Sequence, residues 1–266
     1  MGVQAADPLI DKAPEEIPLK DAPLVRVLAQ VRFSEILSIM KEDFVAGFQE
    51  RLRQKYPQLT RQDGQMIMIT PQGPEVRPDA SWRLADTRDQ WRLTLSTGAV
   101  TLEAVQYTSR RDFADRLREI LAAVADTFKP ALATRVGIRY VDRIAGEPLT
   151  RIDTLVRGEL IGLAVSPLRD RLERSLSEAL CESAEGQLLV RWGWMPPNGA
   201  YDPATVPPIP EKSWLLDIDS FKMCGPDQAF DVDQLNDLAV GLATRAYTFF
   251  RWAITDNFIK TYKGAA

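Results

Sequence analysis

Residues 81–109 read SWRLADTRDQWRLTLSTGAVTLEAVQYTS, and the order of patterns in this stretch decides the class of fold. SWRLA, DQWRLTLST and AVTLEAVQYTS are three successive strand-like runs, and Thr97-Gly98 between the last two reads as a tight turn. Strands that follow one another without an intervening helix form an antiparallel meander. Ser109-Arg110-Arg111-Asp112 then gives a Ser-x-x-Asp variant of the capping box. Phe113, Leu117, Ile120, Leu121, Val124 and Phe128 mark the helix it opens, and Pro130 ends it.

Upstream, Val25, Val27, Ala29, Val31 and Phe33 alternate with Arg26, Leu28, Gln30 and Arg32, the period of a half-buried strand. Met40, Phe44, Phe48 and Leu52, with Val45, predict an amphipathic helix over 39–56 that Tyr56-Pro57 stops. Residues 65–70 read as a short strand, and Pro71, Gly73, Pro74 and Pro78 predict a loop after it. Downstream, TRVGIRYVDRI (134–144) sets Val136, Ile138, Tyr140 and Ile144 on one side and Arg135, Arg139 and Arg143 on the other. A helical pattern covers 152–163. Residues 168–183 carry leucines at helical spacing, yet 175–183 also match a hairpin with QLLVRWGWM across Glu185-Gly186, the reading preferred here. Six prolines make 196–212 an irregular excursion, 213–223 (SWLLDIDSFKM) is a strand, and Asp231 or Asp233 caps the last long helix.

The order strand, helix, strands, helix therefore occurs twice. It predicts an α+β fold: a duplicated unit, largely antiparallel twisted sheet or sheets, with the long helices on one face. Residues 1–19, rich in proline and acid, are expected to be a flexible arm. Residues 20–130 and 131–266 are the expected halves, folding as one unit.

The opening PLKDAPLVRVLAQVRF (18–33) resembles a sporadically distributed bacterial family of uncharacterised proteins. Its members carry a Pro-Leu-x-x-Ala-Pro-(Ile/Leu)-Val opening followed by Gln-(Val/Ile)-Arg-Phe. Here these are Pro18, Leu19, Ala22, Pro23, Leu24, Val25, Gln30, Val31, Arg32 and Phe33. LEAVQYTSRRDF (102–113), RVGIRYVDRI (135–144) and LLDIDSF (215–221) look similar too. The patchy distribution of that family implies an association with mobile or defence-related genes. It implies no particular activity.

The 266 residues contain no histidine. No Ser-His-Asp or Cys-His arrangement exists within one chain, nor does a histidine-ligated metal site. Cys181 and Cys224 cannot form a four-thiolate site, and two scattered cysteines fit a reducing cytoplasm. The net charge is −4, which disfavours a strongly basic nucleic-acid binder. There is no leader-like apolar region near the start and no apolar run long enough to span a bilayer. No Gly-rich phosphate loop of either common type occurs.

Two sets of residues invite a functional reading. Arg135, Arg139 and Arg143 share one strand face, as do Arg26, Gln30 and Arg32. An open face bearing these five arginines would take an acidic protein partner, an anionic ligand or nucleic acid through forked guanidinium contacts. The alternative is a lattice in which Glu103, Asp217 and Asp219 pair with them. Asp217 and Asp219, two apart on a strand, would hold Mg²⁺ or Mn²⁺ in a phosphodiesterase or nuclease, with Glu103 or Glu178 as third ligand and Lys222 nearby. The alternative there is pairing with arginines. Trp82, Trp91, Trp192, Trp194 and Trp214 lie on expected strands, where aromatic residues are core anchors more often than stacking platforms. The leading expectation is a non-enzymatic interaction protein, with a protein partner or self-association, no membrane insertion and no cofactor. A metal-dependent nuclease and a nucleic-acid-binding subunit of a larger assembly are the alternatives.

Overall fold

Apolar residues that switch between a period of two and one of about 3.6 must build both sheet and helix. The computed structural model, which describes residues 7–70 and 73–264, does so. In chain order the elements are β1 (Leu24–Phe33), α1 (Glu42–Leu52), β2 (Gln58–Thr70), β3 (Gly73–Ala85), β4 (Trp91–Ser96), β5 (Ala99–Ala104) and α2 (Arg110–Phe128). There follow β6 (Ala133–Ala145), α3 (Ile152–Leu155), α4 (Gly158–Ile161), β7 (Ser175–Glu182), β8 (Gln187–Met195), β9 (Ser213–Met223), α5 (Val232–Ala253) and α6 (Asp256–Tyr262). The strands hydrogen-bond in the order β2-β3-β4-β5-β1-β6-β9-β8-β7. Pairs β2–β3, β3–β4, β4–β5, β7–β8 and β8–β9 are antiparallel. Nine strands and six α-helices among the described residues make this an α+β fold. Among the described residues, no helix is long and apolar enough to cross a membrane.

The chain divides into two compact units. The first comprises Leu28–Gly137 and Met223–Val240; the second comprises Met1–Val27, Ile138–Lys222 and Gly241–Ala266, as far as these are described. They are not the consecutive halves expected at 20–130 and 131–266. β1, β6, β9 and α5 each contribute residues to both units, so no single cut in the sequence separates them.

In the first unit the meander forms as read. Register sets Trp82 beside Leu95 and Leu84 beside Leu93, then Leu93 beside Leu102 and Leu95 beside Val100. All are buried, so one face of three strands is continuous apolar surface. The other face carries ions: Arg92 reaches Asp89 at 2.6 Å and Glu103 at 2.8 Å. The cap of α2 is the one the sequence encodes, with Ser109 Oγ accepting from the Asp112 N–H at 3.1 Å. Phe44 and Phe48 of α1 meet Phe128 of α2 at 5.6 and 5.3 Å between ring centroids. The loop expected from Pro71 to Pro78 is instead strand from residue 73 onward, while residues 71 and 72 lie outside the described set. β4 pairs with β3 only from Trp82 to Ala85, so the missing N–H groups of Pro74 and Pro78 cost β4 no ladder bond.

In the second unit a buried cluster joins Leu188, Val190 and Trp194 of β8 and Trp214, Leu216 and Ile218 of β9 to Ala246, Phe249 and Ala253 of α5 and Phe258 and Tyr262 of α6. Residues 168–183 resolve as the hairpin: β7 pairs with β8 from Ser175 opposite Trp194 to Glu182 opposite Gln187. Gly193 makes this possible, since with φ at 143° a Cβ there would lie 1.9 Å from the Ser175 carbonyl oxygen. The single helix expected over 152–163 is broken into α3 and α4, with Gly162 at φ +56° closing the second.

The arm expected to be flexible is docked over its described residues, 7–19. Arg245 of α5, 5% exposed, donates to the carbonyls of Pro8 at 2.9 Å and Asp11 at 3.0 Å. Its other donors grip Glu185 at 2.6 and 3.0 Å. The Ile17 N–H donates to the Tyr247 hydroxyl at 2.9 Å, and Leu9 and Leu19 pack against the buried cluster. Proline and acid made the segment look unattached, whereas its backbone carbonyls are what α5 uses. A chain beginning at Leu19 should therefore melt about 5 °C lower or more, since buried guanidinium donors lose their acceptors. An unchanged midpoint in a thermal scan refutes the docking.

Candidate functional site

Strand alternation puts Arg139, Val141 and Arg143 of β6 on the side of the second unit opposite Tyr140 and Ile144. On β9 it puts Leu215, Asp217 and Asp219 opposite Trp214, Leu216 and Ile218. The excursion 196–212 packs on the arginine-bearing side. Val206, 0% exposed, joins Val141, Met195 and Leu215 in a small buried cluster, with Val25 and Tyr201 against it.

Arg139 is the centre of a polar knot under this excursion. Its Nε and Nη2 donate to the two carboxylate oxygens of Asp217 at 2.8 and 2.7 Å, a side-on fork. Nη1 donates to Asp202 at 2.8 Å, and Nη2 also reaches the Tyr201 hydroxyl at 3.1 Å. That hydroxyl in turn donates to Asp217 Oδ2. Asp217 is 1% exposed. Burial works against the Arg139 cation, yet the bonds and charge of Asp217 more than offset it, so the guanidinium holds its proton more firmly than usual. Burial, then the Asp217 charge, pushes the Tyr201 hydroxyl up. Burial also opposes the Asp202 carboxylate, but its bond from Arg139 keeps it below the ordinary range.

Arg143 and Arg26 attach to the same excursion. Arg143 Nη1 donates to the Pro207 carbonyl at 2.7 Å, and Arg26 Nε to that of Thr205 at 3.4 Å. They are 8% and 7% exposed. Burial lowers the pKa of Arg143.

The arginines expected to share an open face are thus split. Arg26, Arg139 and Arg143 lie in the second unit beneath 196–212, so the reading of them as an open recognition surface is corrected: the chain covers them itself. Arg32 and Arg135 belong to the first unit. Arg32 is exposed and donates to Gln30 at 2.9 Å, and Arg135 lays its guanidinium over Gly137. The pairing alternative is realised for Arg139 with Asp217. Glu103 pairs instead with Arg92, and Glu178 with Arg191 at 2.6 Å.

For the Asp217–Asp219 metal reading, the structure shows the competing arginine partner at Asp217. Both Asp217 oxygens are engaged by one guanidinium, so the negative charge a divalent cation needs is already neutralised. Among the described residues no group of three His, Cys, Asp or Glu could hold a metal ion. The tryptophans serve the core: Trp82, Trp91, Trp194 and Trp214 are buried, and Trp192 packs against the second unit's cluster.

Sequence reading missed Asp142. It follows Tyr140 and precedes Ile144 on the apolar side of β6 and is 5% exposed. Burial, then the charge of Asp217, raises its pKa to about 7. The readable signal was an acid standing at an apolar position of the alternation. Neither a scan against protein-family models nor a search of curated proteins returns a match for this chain.

Proposed function

We propose that this chain is a non-enzymatic interaction protein of the bacterial cytoplasm whose partner is another protein. The observation that carries the reading is a set of exposed apolar side chains in the segment that leads into an edge strand. Leu163, Val165 and Leu168 are 50%, 63% and 53% exposed in the segment just before β7. β7 ends the strand order, and its Leu180 is 59% exposed. Exposed apolar residues and an edge strand are features that a protein partner covers. The resemblance in the opening motif supports placing that partner in a defence or mobile-element system. The repeated element order, β1-α1-β2 to β5-α2 and β6-α3-α4-β7 to β9-α5, supports an origin by duplication. The apolar stripes of α2 and α5 support long helices laid on one face of the sheet.

Changing Leu163, Val165 and Leu168 together to Ser tests the reading. Side chains this exposed contribute little to stability, so the midpoint should move by less than about 2 °C. Recovery of the partner that co-purifies from the native host should fall at least tenfold by quantitative mass spectrometry. Undiminished recovery defeats the proposal.

A further inference from the structure

Arg143 is a largely buried cation that pairs with no carboxylate among the described residues. Its side chain passes through the layer between β6 and the excursion, and 8% of the residue is exposed. Nη1 has the Pro207 carbonyl, but Nε has no hydrogen-bond partner, and no carboxylate pairs with this guanidinium among the described residues. The contrast with Arg139 is direct. Arg139 takes both Asp217 and Asp202, while the ionisable group that acts on the charge of Arg143 is the hydroxyl of Tyr201. A guanidinium cannot shed its proton at any ordinary pH to escape the penalty of burial. Its unpartnered Nε therefore calls for an anion.

We propose that the second unit binds a phosphate-type oxyanion under the 196–212 excursion, held by Arg143 and flanked by Arg26. Arg26 and Arg143 donate to carbonyls two residues apart, Thr205 and Pro207, so their guanidinium groups border the same stretch of backbone. A tetrahedral oxyanion has enough oxygens to accept from Arg143 while lying beside the positive charge of Arg26, whereas a planar carboxylate is filled by one fork. The site is separate from the open apolar segment at 163–168 and does not depend on it. Bound anion would fasten the excursion to the sheet by supplying the charge that Arg143 lacks.

The test is thermal unfolding of the full chain in rising inorganic phosphate, against sodium chloride of matched ionic strength. Saturating phosphate should raise the midpoint by about 5 °C or more beyond the chloride control. Arg143→Met should lose this response while melting no lower than the wild type in phosphate-free buffer, because it removes an uncompensated buried cation. Arg143→Lys keeps the charge but not the fork and should retain less than half of the response. Equilibrium dialysis of wild-type protein should find one phosphate per chain, a readout independent of how the variants fold. A nucleoside monophosphate run in parallel identifies the source: stabilisation by both marks a phosphomonoester ligand, and stabilisation by phosphate alone marks the free ion. No stabilisation beyond chloride, or an equal response from Arg143→Met, overturns the proposal.

Discussion

Replacing Arg139 with Ala should destabilise the protein by about 3–5 kcal/mol, because it strands Asp217 as a buried charge without its partner. Asp217 is 1% exposed, and Arg139 supplies a donor to each of its oxygens. The remaining Tyr201 hydroxyl satisfies one oxygen but brings no positive charge, and Arg191 stays 4.0 Å away. Asp202 also loses its donor, which loosens the excursion from the sheet. The double change Arg139→Met with Asp217→Leu should lose less than Arg139→Ala alone, since a buried pair replaced by apolar groups of similar size is often nearly neutral. Denaturant unfolding of the two single variants and the double closes the cycle. Were Arg139→Ala to cost no more than a surface ion pair, about 1 kcal/mol, the knot would be ornamental.

Asp142→Asn should do the opposite, and by an amount that depends on pH. The Asp142 carboxyl titrates near pH 7 in the folded chain and near pH 4 when unfolded. Below the unfolded value both states are protonated and the group is silent. As pH rises toward 7 the unfolded chain releases the proton while the folded chain keeps it, so stability falls; above 7 the loss is complete. Three pKa units correspond to about 4 kcal/mol. The amide carries no charge, so the variant should match the wild type at pH 4 and exceed it by up to about 4 kcal/mol at pH 8. The groups acting on Asp142 from its surroundings are Asp217 and, on α6, Tyr262, neither of which offers a positive charge. Urea titrations across this range measure the difference, and a constant difference at every pH contradicts the assignment.

The alternation of β6 was legible in the sequence, and with it the faces on which Arg139 and Asp142 stand. The position of 196–212 was not. Six prolines announce an irregular path, yet nothing local says which surface the path crosses, because Val206 is anchored by Val141, Met195 and Leu215 from three separate strands. The same limit hid the docking of the arm. Arg245 sits on a helix more than two hundred residues away from Pro8 and Asp11 in sequence, and the groups it seeks are backbone carbonyls, which every residue possesses.

What the sequence determined by itself was local. Period-two and helical runs, the Ser109 cap and the turn at Gly98 marked β1, β4, β5, β6, α2 and the α+β class, because each depends on residues within a few positions of one another. The absence of histidine closed off whole families of chemistry in the same direct way. Tertiary structure alone decided that Arg26, Arg139 and Arg143 lie beneath 196–212, that Asp217 is forked by a guanidinium, and that no carboxylate among the described residues pairs with Arg143. Each of these is a matter of which charges share a low-dielectric space, and that is set by long-range packing, on which spacing along the chain carries no information.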